Sequence, residues 1–437
     1  MEKYYHILTY GCQMNIHESE KIAGMLRTLG YRDTQNISNA DIIVFNTCCI
    51  RDTAETKIIG NIGEIKRYKK KNNDLIVAVV GCMSQQKGAA ENLREKFPFI
   101  NIILGTDNLH ELPQHIIQLE QDNKKYIKSV SLDPSAPISE EVPSYRTSGT
   151  NAWVNIMYGC DNFCTYCIVP YVRGRERSRA PMLILDEVKM LLDQGYKEIT
   201  LLGQNVDSYS YENYDFAYIL SQCAKIDGKF RLRFMTSHPK DFNTKIIDII
   251  RSSDNICNNI HLPVQSGSNR ILQLMNRKYT REYYLKLIDE IKTLPNVGIT
   301  SDIMVGFPTE TDQDFADTLD LVKAVRYSSA FTFVYSPRKG TTAAKMKQLP
   351  AEIKKERIQE LVKLQNSITA QVSKEYLGTT QQVLVEDTNP RYENSVCGRT
   401  DSGRLVTFSG DKSLIGKFVD VKINKTRVAS LFGEINV

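Results

Sequence analysis

The chain has 437 residues, of which 41% are hydrophobic and 24% are charged, and its formal net charge is +5. This length predicts two or three domains, and the weak positive charge permits a nucleic-acid partner without requiring one. No apolar run approaches the ~20 residues that span a bilayer, and the N-terminus lacks the features of a signal peptide, so we predict a cytoplasmic protein.

Residues 1–119 show the alternation of strands and helices that is typical of a parallel sheet. The predicted strands are 4–9, 41–46 and 75–80, and the predicted helices include 18–29 and 53–70. A cysteine follows each strand: Cys12, Cys48 and Cys82. Because the carboxyl ends of parallel strands meet at one edge of a sheet, we expect these three thiols to converge there.

Two alternatives stay open for these thiols. A buried cysteine is often only a small hydrophobic side chain. Cys49 directly follows Cys48 and could replace it as a ligand, but successive side chains point in opposite directions, so only one of the two is expected to face the site. Residues 120–150 carry turn signals without periodicity and predict a linker, so the first domain ends near 115–121.

A second group of three cysteines lies in one short loop, at Cys160, Cys164 and Cys167, with the spacing C-x3-C-x2-C. Thiolates are soft ligands that favour zinc, copper(I) or iron–sulfur clusters. A structural zinc site takes four protein ligands, and no fourth Cys or His lies nearby in sequence. Three thiolates on a four-iron cluster leave one iron open to a substrate, and we favour this interpretation over a zinc site or three unliganded thiols.

The central domain, 146–376, contains six predicted strands separated by helices. The strands are 153–158, 198–202, 231–235, 259–264, 298–305 and 331–335, and the helices include 181–194, 241–251, 280–293 and 311–325. Six such units predict an open, partial (β/α)6 barrel, in which chemistry lies at the C-terminal ends of the strands. Polar or glycine-bearing segments fall at those ends: GQN at 203–205, SHP at 237–239, QSGS at 265–268 and GFP at 306–308. Alternatively, the glycines only turn the chain and His238 is structural.

Four arginines follow the cysteine loop, at Arg173, Arg175, Arg177 and Arg179. Guanidinium groups in this position could hold a phosphate or a carboxylate, and the alternative is a solvated loop of charge pairs. Further along, a charged amphipathic pattern at 350–376 predicts a long helix that leads into the last domain.

The last domain, 378–437, shows short alternating runs that predict a small antiparallel β-barrel of the OB-like kind. The runs are 381–385, 396–400, 405–408, 417–423 and 428–432. Such barrels often bind nucleic acid, but the charge here is balanced, so a packing module is the alternative. The candidate phosphate contacts are Arg399, Arg404, Lys412, Lys417 and Lys422. Cys223, Cys257 and Cys397 do not cluster in sequence and are assigned to packing.

The run at 158–179, YGCDNFCTYCIVPYVRGRERSR, resembles the radical S-adenosylmethionine (SAM) enzymes and, within them, the tRNA-modifying methylthiotransferases. The stretch GCQMN at 11–15 discriminates their MiaB type, with which IVPYVRGRERSR also agrees. The last domain resembles a TRAM domain. Members often have glycine where this chain has Thr309, which we interpret as a tolerated loop variation. Other similar stretches are GCQMN, NTCCIRDTAETK, VVGCMSQ, LLGQNVDSY, LRFMTSHPKDF, HLPVQSGSNRIL, MNRKYT, SDIMVGFPTET and FTFVYSPRKGTTAA.

The resemblance implies SAM and two [4Fe-4S] clusters as cofactors. It assigns the SAM-binding cluster to Cys160, Cys164 and Cys167, and an auxiliary cluster to Cys12, Cys48 and Cys82. Gln204, Asn205, Ser237 and Gln265 are the candidate SAM contacts at the strand ends. The candidate RNA contacts are Arg173, Arg175, Arg177, Arg399 and Lys417.

The implied activity is transfer of a methylthio group to C2 of N6-dimethylallyl(isopentenyl)adenosine, next to the anticodon in tRNA. One SAM would methylate a sulfur held at the auxiliary cluster, and a second would be reductively cleaved to a radical that removes the hydrogen from C2. Both clusters would then face one cavity. The implied partners are the tRNA anticodon loop and an electron donor such as flavodoxin or ferredoxin, and we expect a monomer.

Three alternatives to this activity remain. The chain could methylthiolate threonylcarbamoyl-adenosine in tRNA or an aspartate of a ribosomal protein. It could instead be a non-catalytic iron–sulfur protein that binds RNA and senses redox state, in which case it would bind tRNA without cleaving SAM. A zinc-binding module is the third, and it would contain no iron or sulfide.

Overall fold

The computed structural model describes residues 2–49, 52–122, 124–132, 144–146 and 149–436, with the backbone alone for 52–54. The turn-rich part of the predicted linker, at 133–143, lies outside the described residues. The chain forms two compact units. Unit 1 comprises Met1–Thr147, Tyr158–Asp161 and Cys167–Arg177, and unit 2 comprises Ser148–Met157, Asn162–Tyr166 and Ser178–Val437. The domain boundaries 1–119, 146–376 and 378–437 stay predictions.

Unit 1 is built on a parallel sheet of six strands in the order β2-β1-β3-β4-β5-β6. The strands are β1 (Lys3–Thr9), β2 (Tyr31–Asp33), β3 (Ile42–Thr47), β4 (Ile76–Gly81), β5 (Ile102–Leu104) and β6 (Ile127–Ser129). The helices are α1 (Gln13–Thr28), α2 (Asp52–Lys71), α3 (Cys82–Gln85), α4 (Ala89–Lys96), α5 (Leu112–Gln121) and, from a later part of the chain, α6 (Val169–Val172).

The central strands of this sheet are covered on both faces. Every residue of β3 and β4 is buried, because helices lie on both sides of a parallel sheet, and so these strands are continuous apolar runs in the sequence. The predicted parallel sheet is confirmed. The sequence did not predict β2, β5 and β6, because three residues are too few to show a hydrophobic period.

Unit 2 begins with the partial barrel. The strands in this part of the chain are β7 (Asn151–Asn155), β8 (Met157–Tyr158), β9 (Arg177–Ser178), β10 (Glu198–Leu202), β11 (Ser210–Tyr211), β12 (Tyr214–Asp215), β13 (Arg231–Phe234), β14 (Asn259–His261), β15 (Gly298–Val305) and β16 (Ser329–Val334). The short strands β8 and β9 each include one residue of either unit. The helices are α7 (Pro181–Asp193), α8 (Phe216–Ala224), α9 (Thr244–Arg251), α10 (Asn269–Leu274), α11 (Arg281–Ile291) and α12 (Asp312–Val325).

Six strands of the barrel form two parallel groups, β13-β10-β7 and β14-β15-β16. The apolar faces of α7, α8, α9, α11 and α12 pack with these strands into one core. The predicted partial (β/α)6 barrel is confirmed. In a barrel of this kind the C-terminal ends of the strands lie at one face, where the candidate SAM contacts are located.

The last part of unit 2 is a long helix followed by a small barrel. The helix is α13 (Ala351–Lys374), and the strands are β17 (Thr380–Thr388), β18 (Ser395–Thr400), β19 (Leu405–Ser409), β20 (Phe418–Thr426) and β21 (Ser430–Ile435). They close in the order β17-β18-β19-β21-β20. The predicted barrel is confirmed, but β19 and β21 run parallel, because an odd number of strands cannot close with alternating directions throughout. Among the described residues, no helix is long and apolar enough to cross a membrane.

Candidate active site and its cysteines

In unit 1, three cysteines lie at the carboxyl ends of neighbouring strands. Cys12 follows β1 and caps the N-terminus of α1, Cys48 follows β3, and Cys82 follows β4 as the first residue of α3. The chain turns tightly here, since Gly11 has φ +118° and a Cβ atom on it would lie 2.5 Å from the Cβ of Cys48 and 2.9 Å from its Sγ. The three cysteines therefore follow neighbouring strands at one edge of the sheet, and glycine is required at position 11 because Cys48 lies so close to it.

A buried arginine faces two of these thiols. Arg173, which follows α6 in unit 1, donates from Nη1 to Glu18 Oε1 at 2.6 Å and from Nη2 to Asn15 Oδ1 at 3.4 Å. Its guanidinium acts electrostatically on both Cys12 and Cys82. The sequence predicted Arg173 as an RNA contact, whereas the structure buries it beside the N-terminal cysteines.

Cys49 contacts the core and Cys82. Its side chain is fully buried in the apolar cluster that contains Phe45, Ile58 and Cys82. The hydrogen bond from the Cys49 thiol, together with the nearby Arg173 guanidinium, lowers the pKa of Cys82 below its ordinary value. Within the described residues, no three Cys, His, Asp or Glu side chains form a group that could hold a metal ion.

The C-x3-C-x2-C loop is divided between the two units, with Cys160 and Cys167 in unit 1 and Cys164 in unit 2. In unit 1, Cys160 N donates to the carbonyl of Gly174 at 3.2 Å. Gly159 has φ +78°, and a Cβ atom on it would collide with the carbonyl of Arg175. The backbone before Cys160 thus lies directly against the arginine run, which only glycine permits.

In unit 2, the segment after α10 holds the middle of the cysteine loop. Asn276 Nδ2 donates to the carbonyls of Asn162 and Phe163 at 3.2 and 3.1 Å, and Thr165 Oγ1 donates to the carbonyl of Leu274 at 2.8 Å. Arg277 Nη1 donates to Cys164 Sγ at 3.5 Å. The stretch MNRKYT at 275–280, for which the sequence offers only the family resemblance as a signal, therefore supplies side chains that position Cys164.

The candidate SAM contacts lie in unit 2 at the ends of barrel strands. Gln204 and Asn205 follow β10, Ser237 follows β13 and Gln265, with φ +70°, follows β14. Asn205 is buried and donates from Nδ2 to Asp241 Oδ2 at 2.7 Å, while its Oδ1 has no hydrogen-bond partner among the described residues. An acceptor is thus available at the end of β10.

Asp207 was not singled out from the sequence, yet it organises this end of the barrel. Ser237 Oγ donates to Asp207 Oδ1 at 3.1 Å, and the backbone N–H of His238 donates to Oδ2 at 2.9 Å. Burial raises the pKa of Asp207 to about 8, against these two hydrogen bonds, which lower it. Its only sequence signal is its position in LLGQNVDSY, three residues after Gln204.

His238 is buried, and its protonation state follows from its contacts. Its Nδ1 accepts a hydrogen bond from Lys240 N at 3.2 Å, and burial lowers the pKa of His238 far below its ordinary value. The neutral ring therefore carries its hydrogen on Nε2, which has no partner among the described residues.

The basic residues expected at RNA differ in exposure. Arg175 is exposed and pairs with Asp161 at 3.2 Å, whereas Arg177 is mostly buried and pairs with Asp107 at 2.8 Å. In the small barrel, Arg399 is exposed and pairs with Glu386 at 2.6 Å. Lys412, Lys417 and Lys422 are exposed, but Arg404 is buried over the ring of Tyr376 and so lies away from the surface.

Comparison with known proteins agrees with this architecture. The radical SAM superfamily model matches residues 154–322, the model described as uncharacterized protein family UPF0004 matches 4–105, and the TRAM domain model matches 374–435. Among solved structures, the radical SAM methyltransferase TsrM from Kitasatospora setae superposes with a TM-score of 0.59 at 14% identity, covering 79% of this chain and 74% of TsrM. The cobalamin-dependent radical SAM enzyme OxsB gives 0.53 at 14% identity, with 84% and 58% covered.

The fold and the cysteine loop together define a radical SAM enzyme, a class that uses SAM and a [4Fe-4S] cluster. A tRNA-2-methylthio-N(6)-dimethylallyladenosine synthase from Clostridium botulinum (strain Okra / Type B1) is 53% identical over 435 residues, 98% of this chain and 96% of the relative. One from Desulforamulus reducens is 50% identical over 437 residues, 99% and 95%. The chain belongs to the family of tRNA-2-methylthio-N(6)-dimethylallyladenosine synthases.

The thiols present fit iron–sulfur chemistry. All ten cysteines are outside disulfide bonds, and three of them lie in the loop, where thiolates would be soft ligands of the kind that iron–sulfur clusters take. The Arg277 contact also suits a sulfur that carries negative charge, because hydrogen bonds from a cation to an anion are stronger than neutral ones.

Proposed function

We propose that this enzyme transfers a methylthio group to C2 of N6-dimethylallyl(isopentenyl)adenosine beside the anticodon of tRNA, consuming two SAM molecules. The observation that carries the proposal is the identity of about half of all positions, over nearly the whole chain, with relatives that bear the name of this synthase. The three matched domain models, which together span most of the chain, support the same activity.

The six cysteines are assigned to two [4Fe-4S] clusters. Cys160, Cys164 and Cys167 hold the cluster that binds SAM, and Cys12, Cys48 and Cys82 hold an auxiliary one. The auxiliary assignment is supported by the position of these three cysteines at the ends of adjacent strands and by the Arg173 cation beside two of them. When bound, the clusters and SAM supply a radical that removes hydrogen from C2 and a methylated sulfur that replaces it.

The residues at the barrel strand ends hold SAM. Gln204, Asn205, Ser237 and Gln265 are its proposed contacts, and the Oδ1 atom of Asn205 is a buried acceptor for a ligand N–H or O–H. Asp207 fixes Ser237 and the backbone of His238, so these groups are positioned before a ligand binds. A polar site prepared in this way loses less entropy on binding.

The substrate is tRNA, and its phosphates are proposed to contact the exposed basic residues. Arg175, Arg399 and Lys417 are the exposed assigned contacts, and Arg177, which is mostly buried, would have to leave its ion pair with Asp107 to bind a phosphate. The buried position of Arg173 favours a role beside the auxiliary cysteines instead. We further propose that an external donor such as flavodoxin or ferredoxin supplies the electron, and that the enzyme works as a monomer in the cytoplasm.

Nucleoside analysis tests the activity. A deletion strain is complemented with the wild-type gene, with Cys160→Ala, or with Cys223→Ala as a control at a buried packing thiol. Mass spectrometry of its tRNA nucleosides is expected to show the 2-methylthio product with the wild type and the control, and only the unmodified isopentenyladenosine with Cys160→Ala. Persistence of the product in the uncomplemented deletion strain would contradict the proposal.

A second variant separates the two clusters. Cys12→Ala is expected to abolish the 2-methylthio product in the same assay. In purified protein under strong reductant, it is expected to retain cleavage of SAM to 5′-deoxyadenosine, because Cys160, Cys164 and Cys167 are intact. If Cys12→Ala forms the 2-methylthio product at the wild-type level, the auxiliary assignment is wrong.

A further inference from the structure

Arg277 is a buried cation beside a cysteine of the loop. Its side chain is 4% exposed, and its three donors contact Cys164 Sγ at 3.5 Å, the Pro263 carbonyl at 2.8 Å and the Tyr279 hydroxyl at 3.1 Å. No carboxylate among the described residues forms an ion pair with it, whereas the buried Arg173, Arg233 and Arg357 each pair with one.

A buried charge without a counter-charge is costly, and Arg277 has only partial compensation from its neighbours. The buried Arg231 also has no ion pair with a carboxylate in the part of the chain that the structure describes, but two backbone carbonyls, of Gln382 and Arg399, accept from its guanidinium. The Nη1 of Arg277 instead points at sulfur. A neutral thiol is a weak acceptor, so this contact becomes favourable when the sulfur is a thiolate bound to metal.

The backbone fixes the guanidinium in this position. Asn276 and Lys278, on either side of Arg277, both have positive φ, at +61° and +60°. Asn276 also holds the carbonyls of Asn162 and Phe163, just before Cys164. The turn and the cysteine loop are therefore joined by several hydrogen bonds, which keep the distance between Arg277 and Cys164 short.

We propose that Arg277 is a positioning residue that sets the reduction potential of the SAM-binding cluster. It donates an N–H···S hydrogen bond to Cys164 and supplies the positive charge that balances the cluster inside the barrel. Reduction adds one negative charge to the cluster, so a fixed nearby cation stabilises the reduced form more than the oxidised form and raises the potential. The inference rests on the assignment of Cys164 as a cluster ligand under Proposed function.

The test is an EPR-monitored redox titration of the cluster in full-length, anaerobically prepared enzyme. The variants are Arg277→Gln, which removes the charge, Arg277→Lys, which keeps the charge but loses the guanidinium geometry, and Lys278→Gln, which removes an exposed charge from the same turn. The cluster that binds SAM is recognised by the change of its EPR signal when SAM is added.

We expect Arg277→Gln to disfavour the reduced cluster at least tenfold, which is a shift of about 59 mV to more negative potential for a one-electron couple. Arg277→Lys is expected to shift the potential less and in the same direction, and Lys278→Gln is expected to leave it at the wild-type value. A potential in Arg277→Gln equal to that of Lys278→Gln would overturn the proposal.

Thermal unfolding provides a measurement that is independent of the redox titration. In cluster-free protein the Arg277 charge lacks its counter-charge, so Arg277→Gln is expected to lower Tm less in cluster-free than in cluster-loaded enzyme. If Arg277→Gln retains no cluster, the redox titration of Arg277→Lys takes its place as the test. A wild-type potential with an unchanged EPR signal in Arg277→Lys would then overturn the proposal. Full iron content in Cys164→Ala would instead show that the ligand assignment fails.

Discussion

Two adjacent thiols at the end of β3 have different surroundings. Cys48 lies against the backbone of Gly11 and so beside Cys12, whereas Cys49 lies in the apolar core and is hydrogen-bonded to Cys82. Both are buried, so exposure does not distinguish them. The neighbours favour Cys48 as the ligand and give Cys49 the role of a donor to the sulfur of Cys82.

Alanine substitutions at these two positions form a matched pair. Cys48→Ala is expected to lose the auxiliary cluster, about four iron and four sulfide ions per chain, because it removes one of three ligands. Cys49→Ala is expected to keep about eight of each, because it removes only a hydrogen bond. Iron and sulfide analysis of anaerobically purified protein measures the cluster content of both variants. If only Cys49→Ala loses iron, Cys49 rather than Cys48 is the ligand.

The raised pKa of Asp207 makes a prediction about pH. Its ordinary value is 3.8 and its value in the folded protein is about 8, so the folded state holds a proton that the unfolded chain releases. The contribution of this group to stability is therefore fully present below about pH 4 and is lost as pH rises towards 8, on the order of 1 kcal/mol for each pH unit.

Asp207→Asn removes this dependence because the amide does not titrate. We expect the Tm of the wild type to fall relative to that of Asp207→Asn between pH 5 and 8. Asp215→Asn is the control, since the Asp215 side chain caps α8 and titrates below this window. Burial, the largest single effect, raises the pKa of Asp215, but the hydrogen bonds and charge of Lys245 and the hydrogen bond from Tyr218 N together outweigh it and lower the pKa. Parallel pH profiles of Tm in the wild type and Asp207→Asn would refute the assignment.

At the level of elements, the start of α12 combines a strained residue with a strong cap. Thr309 has φ +64°, the left-handed region that a β-branched residue rarely adopts. Two residues later, Thr311 caps the helix in a capping box with Asp314. Thr309 thus occupies a backbone conformation that favours glycine.

Thr309→Gly is expected to stabilise the protein by roughly 0.5–1 kcal/mol, since relief of left-handed strain exceeds the entropy cost of glycine. The Arg270 hydrogen bond to the carbonyl of residue 309, at 2.7 Å, is retained, while the exposed and longer one to the Thr309 hydroxyl, at 3.3 Å, is lost. Thr311→Ala is the opposite control and is expected to cost about 1 kcal/mol through loss of the cap. Denaturant unfolding of the three proteins gives the order, and a destabilised Thr309→Gly would show that Thr309 is not strained.

The same elements show what the sequence can predict. The strands β3 and β4 could be predicted from the sequence because full burial makes them continuous apolar runs. The position of the cysteines that follow them was predicted from the alternation of strands and helices. The contacts of Arg277 with Cys164 and of Asp207 with Ser237 were not visible, since they join residues 113 and 30 positions apart. Periodicity reports which face of an element is buried, but not which side chains meet across the fold.

At the level of the whole molecule, recognition of tRNA is assigned to a domain with little excess charge. The chain as a whole carries only +5. Affinity for RNA must then come from individual exposed cations rather than from a uniformly basic surface. In the small barrel, Arg399 is already paired with Glu386, while Lys417 forms no ion pair among the described residues and acts on the Asp411 carboxylate only from beyond ion-pair distance. The two side chains should therefore contribute unequally.

We expect Lys417→Gln to weaken tRNA binding more than Arg399→Gln, because the Glu386 carboxylate already offsets the charge of Arg399. A residue that contacts one phosphate changes the slope of log K against log salt concentration by about 0.7–0.9. Binding titrations over a range of salt concentrations measure this slope, with Lys286→Gln on α11 as the control at an exposed lysine outside the small barrel. Cleavage of SAM without tRNA is expected to be unchanged in all three variants. If both Lys417→Gln and Arg399→Gln have the same salt slope as the control, these two residues of the small barrel do not contact tRNA.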